Sequence, residues 1–343
     1  MGSSRLEAVP GLRTPSTFGW RAGVAGALAV VLGQPSLWLM GSLAFALRGG
    51  LFLLLASVVV LPTPIELRIL LGANLGSSGL APEFLTLLVA IGAGLVLLVV
   101  LGLALVAQLE LSAFERLVGD PEAAQGLQGR EPGPPTVTQR RALWASLFGV
   151  QLLAVAALVV AAIPLLSGAI GLTYQEIIRP SVGGTIYVRV LNGLREPLLI
   201  LLAGLVLVEM VSALATRRLL VRGFGLGGAR LPQTALGAPL AVLQAVISGL
   251  LRPLRRPIGT LATLVLVWSA SLALLVPLSW GLTTAWSSVR AAYLSSAAGR
   301  DEGSLASLAV VTLALAALWL AGVALGGFVS ALRAALWSAD GLR

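Results

Sequence analysis

Three ionisable residues stand where an apolar chain leaves little room for charge. Arg48 lies in Pro35–Pro62, which reads PSLWLMGSLAFALRGGLFLLLASVVVLP, with Arg48-Gly49-Gly50 between two apolar halves. Glu110 and Glu209 fall near the ends of two other apolar runs. A charge in hydrocarbon costs from ~2.5 kcal/mol upward, so such groups usually face a partner or a wet cavity. One guanidinium and two carboxylates at a common depth can form ion pairs, or can hold an anion, a lipid headgroup or a partner helix. Arg48, Glu110 and Glu209 are therefore the candidate intramembrane polar site. The plainer account of the same three residues is an ion pair that pins three helices, or snorkelling of Arg48 to the interface. Gln108 and Gln151 suit hydrogen bonds between helices.

Much other chemistry is excluded by what the chain lacks. It has no His and no Cys, which removes zinc held by those ligands, His-ligated haem, thiolate catalysis and disulfides. It has no Lys either, so all 23 basic residues are Arg and no Schiff base can form. A serine protease dyad needs a His, and a nucleotide-binding loop needs a Gly-rich turn followed by Lys. Asp120, in Val-Gly-Asp-Pro, lies in a loop with no second aspartate placed to make a catalytic pair. No catalytic residue, cofactor or metal ligand is expected, and the chain reads as a non-enzyme.

The elements that carry these residues follow from composition. Hydrophobic residues make up 57% of the chain and charged ones 11%, with mean hydropathy +0.97. Soluble domains carry about 25% charge, and several runs here exceed the ~20 residues that cross a bilayer. The fold class is an all-α integral membrane protein with six transmembrane helices. The crossings fall at about 36–61, 83–108, 142–166, 196–216, 258–278 and 304–336. Two shorter apolar segments, 18–32 and 238–251, are too short to cross and read as in-plane elbow helices.

The chain divides as one polytopic membrane domain, 1–343, in consecutive pieces. Residues 1–117 form a first hairpin with its elbow, and 118–141 a cytosolic linker rich in Pro and Gly. A second hairpin spans 142–218, followed by a basic cytosolic loop over 219–235. A third hairpin with its elbow covers 236–336, and 337–343 is a tail. Ile65–Leu71 suits a short amphipathic turn and Gly72–Pro82 a loop. Thr185–Val190 (TIYVRV) alternates as a small strand would. Trp286, Val289 and Tyr293, at helical spacing, suggest a separate interfacial helix outside the fifth crossing.

The three hairpins share a weak internal repeat. The even-numbered crossings end in Glu110-Leu-Ser-Ala-Phe114, Met210-Val-Ser-Ala-Leu214 and Phe328-Val-Ser-Ala-Leu332. Counting from the elbow prolines puts Ala270 opposite Arg48 in the third hairpin, and a match through Trp38 and Trp144 puts Ala154 there in the second. Arg48 is thus an addition to one unit rather than part of a common scaffold. Arginines concentrate in the tail, the second and fourth loops and the C-terminus, so the positive-inside rule places both termini in the cytoplasm of an inner (plasma) membrane.

Two function classes fit. With no soluble domain of its own, the chain suits a structural or accessory subunit of a larger membrane complex. The alternative is a permease-like or lipid- and anion-handling six-helix protein with its polar site near Arg48. Glu122-Ala-Ala124 in the linker is similar to the coupling motif of ABC-transporter permeases. The downstream Gly is displaced from that pattern and the distal Ile/Leu-Pro part is missing. Expected partners are membrane lipids and either other subunits or further copies of the chain. With so little aqueous surface, nucleic acid is not among them.

Overall fold

The computed structural model describes residues 20–56, 75–76, 79–119, 136–178, 186–225, 237–255, 257–297 and 303–341. Among these the chain is helical apart from β1 (Leu75–Gly76) and β2 (Gly79–Leu80), an antiparallel pair with Leu75 opposite Leu80. The helices are α1 (Trp20–Gly33), α2 (Pro35–Phe45), α3 (Leu51–Ala56), α4 (Pro82–Gly119) and α5 (Val137–Ile178). They continue with α6 (Ile186–Gly193), α7 (Arg195–Gly223), α8 (Gly237–Arg255), α9 (Pro257–Ala297) and α10 (Gly303–Gly341). Among the described residues six spans are long and apolar enough to cross a membrane: Pro35–Leu55 through α2 and α3, and most or all of α4, α5, α7, α9 and α10. The protein is a multi-pass integral membrane protein. The short apolar helices α1 and α8 occupy the two segments too short to cross.

Several expectations give way to longer elements. The alternating Thr185–Val190 does not form a strand: Ile186–Gly193 is helix α6, and Thr185 lies outside the described residues. Its Ile186 and Val190, four apart, fall at helical as well as alternating spacing, which so short a segment cannot separate. The aromatic segment with Trp286 and Tyr293 is no separate helix but the continuation of α9 past Pro277. Likewise α5 runs through Pro164 to Ile178. Hydroxyls that close back on the preceding turn accompany both prolines. Ser167 Oγ donates to the Pro164 carbonyl at 3.2 Å and Ser279 Oγ to that of Val276 at 2.9 Å, and the helix runs on through both prolines. The Gly72–Pro82 loop includes the β1–β2 pair, and the expected tail from 337 is the end of α10, with Trp337 and Ser338 buried. Ile65–Leu71 and most of the linker, with Glu122-Ala-Ala124, lie outside the described residues.

The buried core gathers toward one end. On α4 no residue from Pro82 to Leu101 is buried, whereas Gly102, Leu103 and most of 106–118 are. A helix rises ~30 Å over those first twenty residues, about the thickness of the hydrocarbon, and this half is almost wholly apolar. The buried half packs with α1, α2, α7, α9 and α10 around Val106, Leu109, Ala113, Leu214, Leu264 and Trp337. A second core joins α4, α5, α7 and α8 around Leu111, Phe114, Leu147, Leu219 and Ala245. Ala113, Ala213 and Ala331, one from each related Ser-Ala string, meet in the first core. Small side chains at this level let three helices approach.

Backbone contacts set the position of α2. A Cβ on Gly41 would overlap the Gly327 carbonyl oxygen, and one on Gly102 would lie 2.8 Å from the Leu47 carbonyl carbon and 3.0 Å from the Arg48 nitrogen. Gly92 and Gly94, on the exposed half of α4, touch nothing within 4 Å. The first span is also broken. Over Ala46–Gly50 the turn widens, and Gly49 adopts φ 115°, ψ −1°, before α3 resumes. Only glycine takes that conformation without strain.

Candidate functional site

The break at Gly49 sets Arg48 at the head of a lateral pocket. Arg48 packs beside Gly102, so on α4 it lies about one hydrocarbon thickness from Pro82. The helical Cα–Cβ direction tilts its side chain back toward the N-terminus of α2, the end where the other charges gather. The pocket, of about 520 Å³, opens between the first span, α4, α7, α9 and α10. One end is polar, with Arg48, Glu110, Glu209, Arg333 and Ser330. The walls beyond are mostly apolar, with Phe45 and Leu53 from the first span and Trp268, Leu272, Leu275 and Val276 from α9, alongside Ser271 and Ser279, whose hydroxyls donate to their own helix. From Val267 to Ser279 the α9 wall rises ~18 Å, so the cavity is long relative to its polar end.

The structure brings Arg48, Glu110 and Glu209 to one pocket but pairs the carboxylates elsewhere. Glu110 forms an ion pair with Arg217 of α7, both side chains almost wholly buried (7% and 1% exposed). Arg217 Nη1 also donates to Ser338 Oγ on α10 at 2.7 Å. Glu209 pairs with Arg333 Nε at 2.5 Å. Arg48 belongs to none of the ion pairs among the described residues. It is only partly buried, because it faces the open pocket. With Glu209 neutralised by Arg333, and Glu110 by Arg217, the polar end carries the uncompensated positive charge of Arg48.

Sequence reasoning missed the arginines. Arg217 reads as a loop charge just past the fourth crossing, and Arg333, near the end of the sixth, counts with the C-terminal arginines. A signal was present: Glu110, Glu209, Arg217 and Arg333 each lie within five residues of the serine in a related Ser-Ala string. That is about one and a half helical turns. Four charges of balanced sign at one level of three helices point to pairing. Further pairs reinforce the same end. Arg252 Nη2 of α8 donates to the Asp340 carbonyl at 2.9 Å, and Arg116 Nη1 to Gln34 Oε1 at 2.7 Å and Ser36 Oγ at 2.6 Å. Arg140 bonds Glu115 at 3.0 Å. Gln151 is buried with its Oε1 unpartnered. Among the described residues no cluster of Asp or Glu is placed to hold a metal.

No family model, curated protein or solved structure matches this chain.

Proposed function

We propose that this protein is a permease-like membrane protein that takes an anionic amphiphile into the lateral pocket, with Arg48 receiving the anionic head. The observation that carries this reading is the Arg48 guanidinium, in no ion pair among the described residues, at the polar end of a long cavity whose other walls are apolar apart from Ser271 and Ser279. Ligand pockets commonly have volumes of ~300–1,000 Å³ and a few convergent polar groups, a range into which this cavity falls. A carboxylate or phosphate head would complete the donors of Arg48, and an acyl chain would lie along Leu53, Leu272, Leu275 and Val276. The helix break at Gly49 supports the same reading, since irregular backbone at membrane depth is tolerated where it lines a cavity. The arginine-rich end is the cytoplasmic one on this reading.

The test is binding of a fluorescent long-chain carboxylate to the purified full chain in nanodiscs, against its uncharged methyl ester. Loss of one charge-assisted hydrogen bond costs about 1.5–3 kcal/mol, or roughly 10–150-fold in affinity. Arg48→Gln is expected to weaken carboxylate binding within that range and to leave the ester unaffected. Equal effects on both ligands, or a variant that fails to accumulate folded, would show Arg48 to be structural and remove the proposal.

A second reading, an accessory subunit of a larger complex or a homo-oligomer, is favoured by one observation. The most apolar window of α4 contains no buried residue, so that half is open to a neighbouring helix as well as to lipid. Stable co-purification in mild detergent of a defined partner, or of a second copy, would support it; a monodisperse single chain would count against it. The three related hairpins are proposed to descend from one duplicated unit.

A further inference from the structure

A second cavity, separate from the Arg48 pocket, lies between α7 and α8. It has a volume of about 550 Å³ and is lined by Arg217, Arg218, Gln244, Ser248 and Arg252, with Leu214, Val221, Ile247 and Leu251 completing the walls. Among the described residues, three arginines and no carboxylate form this lining. Glu110 and Asp340, the acids that back Arg217 and Arg252, lie behind the wall. Arg217 is 1% exposed, and among the described residues its Nε has no hydrogen-bond partner. A buried guanidinium N–H without an acceptor is costly, and an oxyanion in this cleft would supply one.

The way α8 is built identifies the source of that anion. Its Ala241, Val242 and Ala245 are buried in the second core, and Gly249 brings it against the α7 backbone, where a Cβ would lie 2.9 Å from the Val211 carbonyl oxygen. A polar stripe at positions i, i+4 and i+8 (Gln244, Ser248, Arg252) faces the cleft. Leu243, Ile247, Leu250 and Leu251 are left roughly half exposed. A soluble phosphate compound has no use for that apolar flank, whereas the acyl chains of a lipid do. The cleft also sits among the paired arginines of the arginine-rich end, and basic pockets between membrane helices bind anionic headgroups. We infer that the α7–α8 cleft is a binding site for the phosphate of an anionic phospholipid, held by Arg217, Arg218 and Arg252 with its acyl chains against α8.

The test uses the full chain in detergent micelles, titrated with phosphatidylglycerol, phosphatidylcholine and soluble glycerol phosphate, and read by thermal stabilisation and by native mass spectrometry of retained lipid. Phosphatidylglycerol is expected to bind and stabilise, phosphatidylcholine to bind at least tenfold more weakly, and glycerol phosphate to have no effect at matched concentration. Arg218→Gln removes a charge from the wall and is expected to weaken phosphatidylglycerol about tenfold, the lower bound for one charge-assisted bond. Ser248→Leu fills the cleft without touching an arginine, so it tests the site even if Arg218→Gln is poorly folded; it too is expected to weaken phosphatidylglycerol about tenfold. Wild-type affinity in Ser248→Leu, or equal binding of the two phospholipids, would overturn the inference. Stabilisation by glycerol phosphate equal to that by phosphatidylglycerol would overturn the lipid assignment. Arg48→Gln should leave this binding intact, which separates the site from the amphiphile pocket.

Discussion

Glu110→Leu, Arg217→Met and the double variant together test whether the buried charges organise the bundle. The wild-type pair joins α4 to α7, and Ser338 of α10 accepts from the same guanidinium, so three helices meet at one group. Only 1% of the Arg217 side chain and 7% of that of Glu110 reach solvent. Removing one partner from such a pair leaves a desolvated charge and costs about 3–5 kcal/mol. The two losses are not symmetrical. A carboxylate left alone can neutralise itself by binding a proton, but a guanidinium has no comparable escape. Glu110→Leu is therefore expected to reach the upper part of that range and Arg217→Met the lower. In the double variant neither charge is buried, and two apolar side chains of similar volume fill the space, a replacement that is often near neutral. The expected double cost is below about 2 kcal/mol, which makes the coupling energy several kcal/mol, well outside the ~0.3–0.5 kcal/mol scatter of independent sites. Reversible unfolding in mixed micelles, followed by tryptophan fluorescence, measures all four proteins. A double variant that loses the sum of the two single losses would refute the direct contact and with it the anchoring role of the pair.

Two further substitutions test the first span. Gly41→Val places a branched side chain where the backbone of α10 passes, over the Gly327 carbonyl. Overpacking costs typically 1–3 kcal/mol, and because backbone cannot yield as a side chain can, the upper end is expected, read as a lower unfolding midpoint against Gly26→Ala, whose position touches nothing. Gly49→Ala meets no atom within 4 Å but forces an L side chain to φ 115°; a loss of about 1–3 kcal/mol, or a shift of the break that alters amphiphile affinity, is expected, and an unchanged midpoint with unchanged affinity would show the break to be unimportant.

Most of the architecture was legible because lipid enforces it. A backbone in hydrocarbon must satisfy its own hydrogen bonds, so long apolar runs become helices whatever packs beside them. The strongest differences occur where local pattern is ambiguous. Ile186–Val190 alternates, yet its Ile186 and Val190 also share a helix face, and the ends of α4, α5, α9 and α10 extend past prolines, glycines and charges that usually stop a helix. The three candidate residues were found for a sound reason, their burial cost, and they do line one pocket. Their partners were not found, because burial of Arg217 and Arg333 is a property of neighbouring helices and not of the residues around them in the chain.

By itself, then, the sequence determined six apolar spans, two shorter apolar helices, the absence of His, Cys and Lys chemistry, and Arg48 as an outlier. Those follow from the energetics of lipid and from residue inventory, both of which are local. Only the tertiary structure decided which charges neutralise one another. A pair forms between side chains brought within a few ångströms, and Glu110 and Arg217 are separated by more than a hundred residues. That pairing leaves Arg48 as the uncompensated cation at the polar end of its pocket. The contact that seats it there is Gly102 against its own backbone, a close approach that only a helix without a side chain at that point allows.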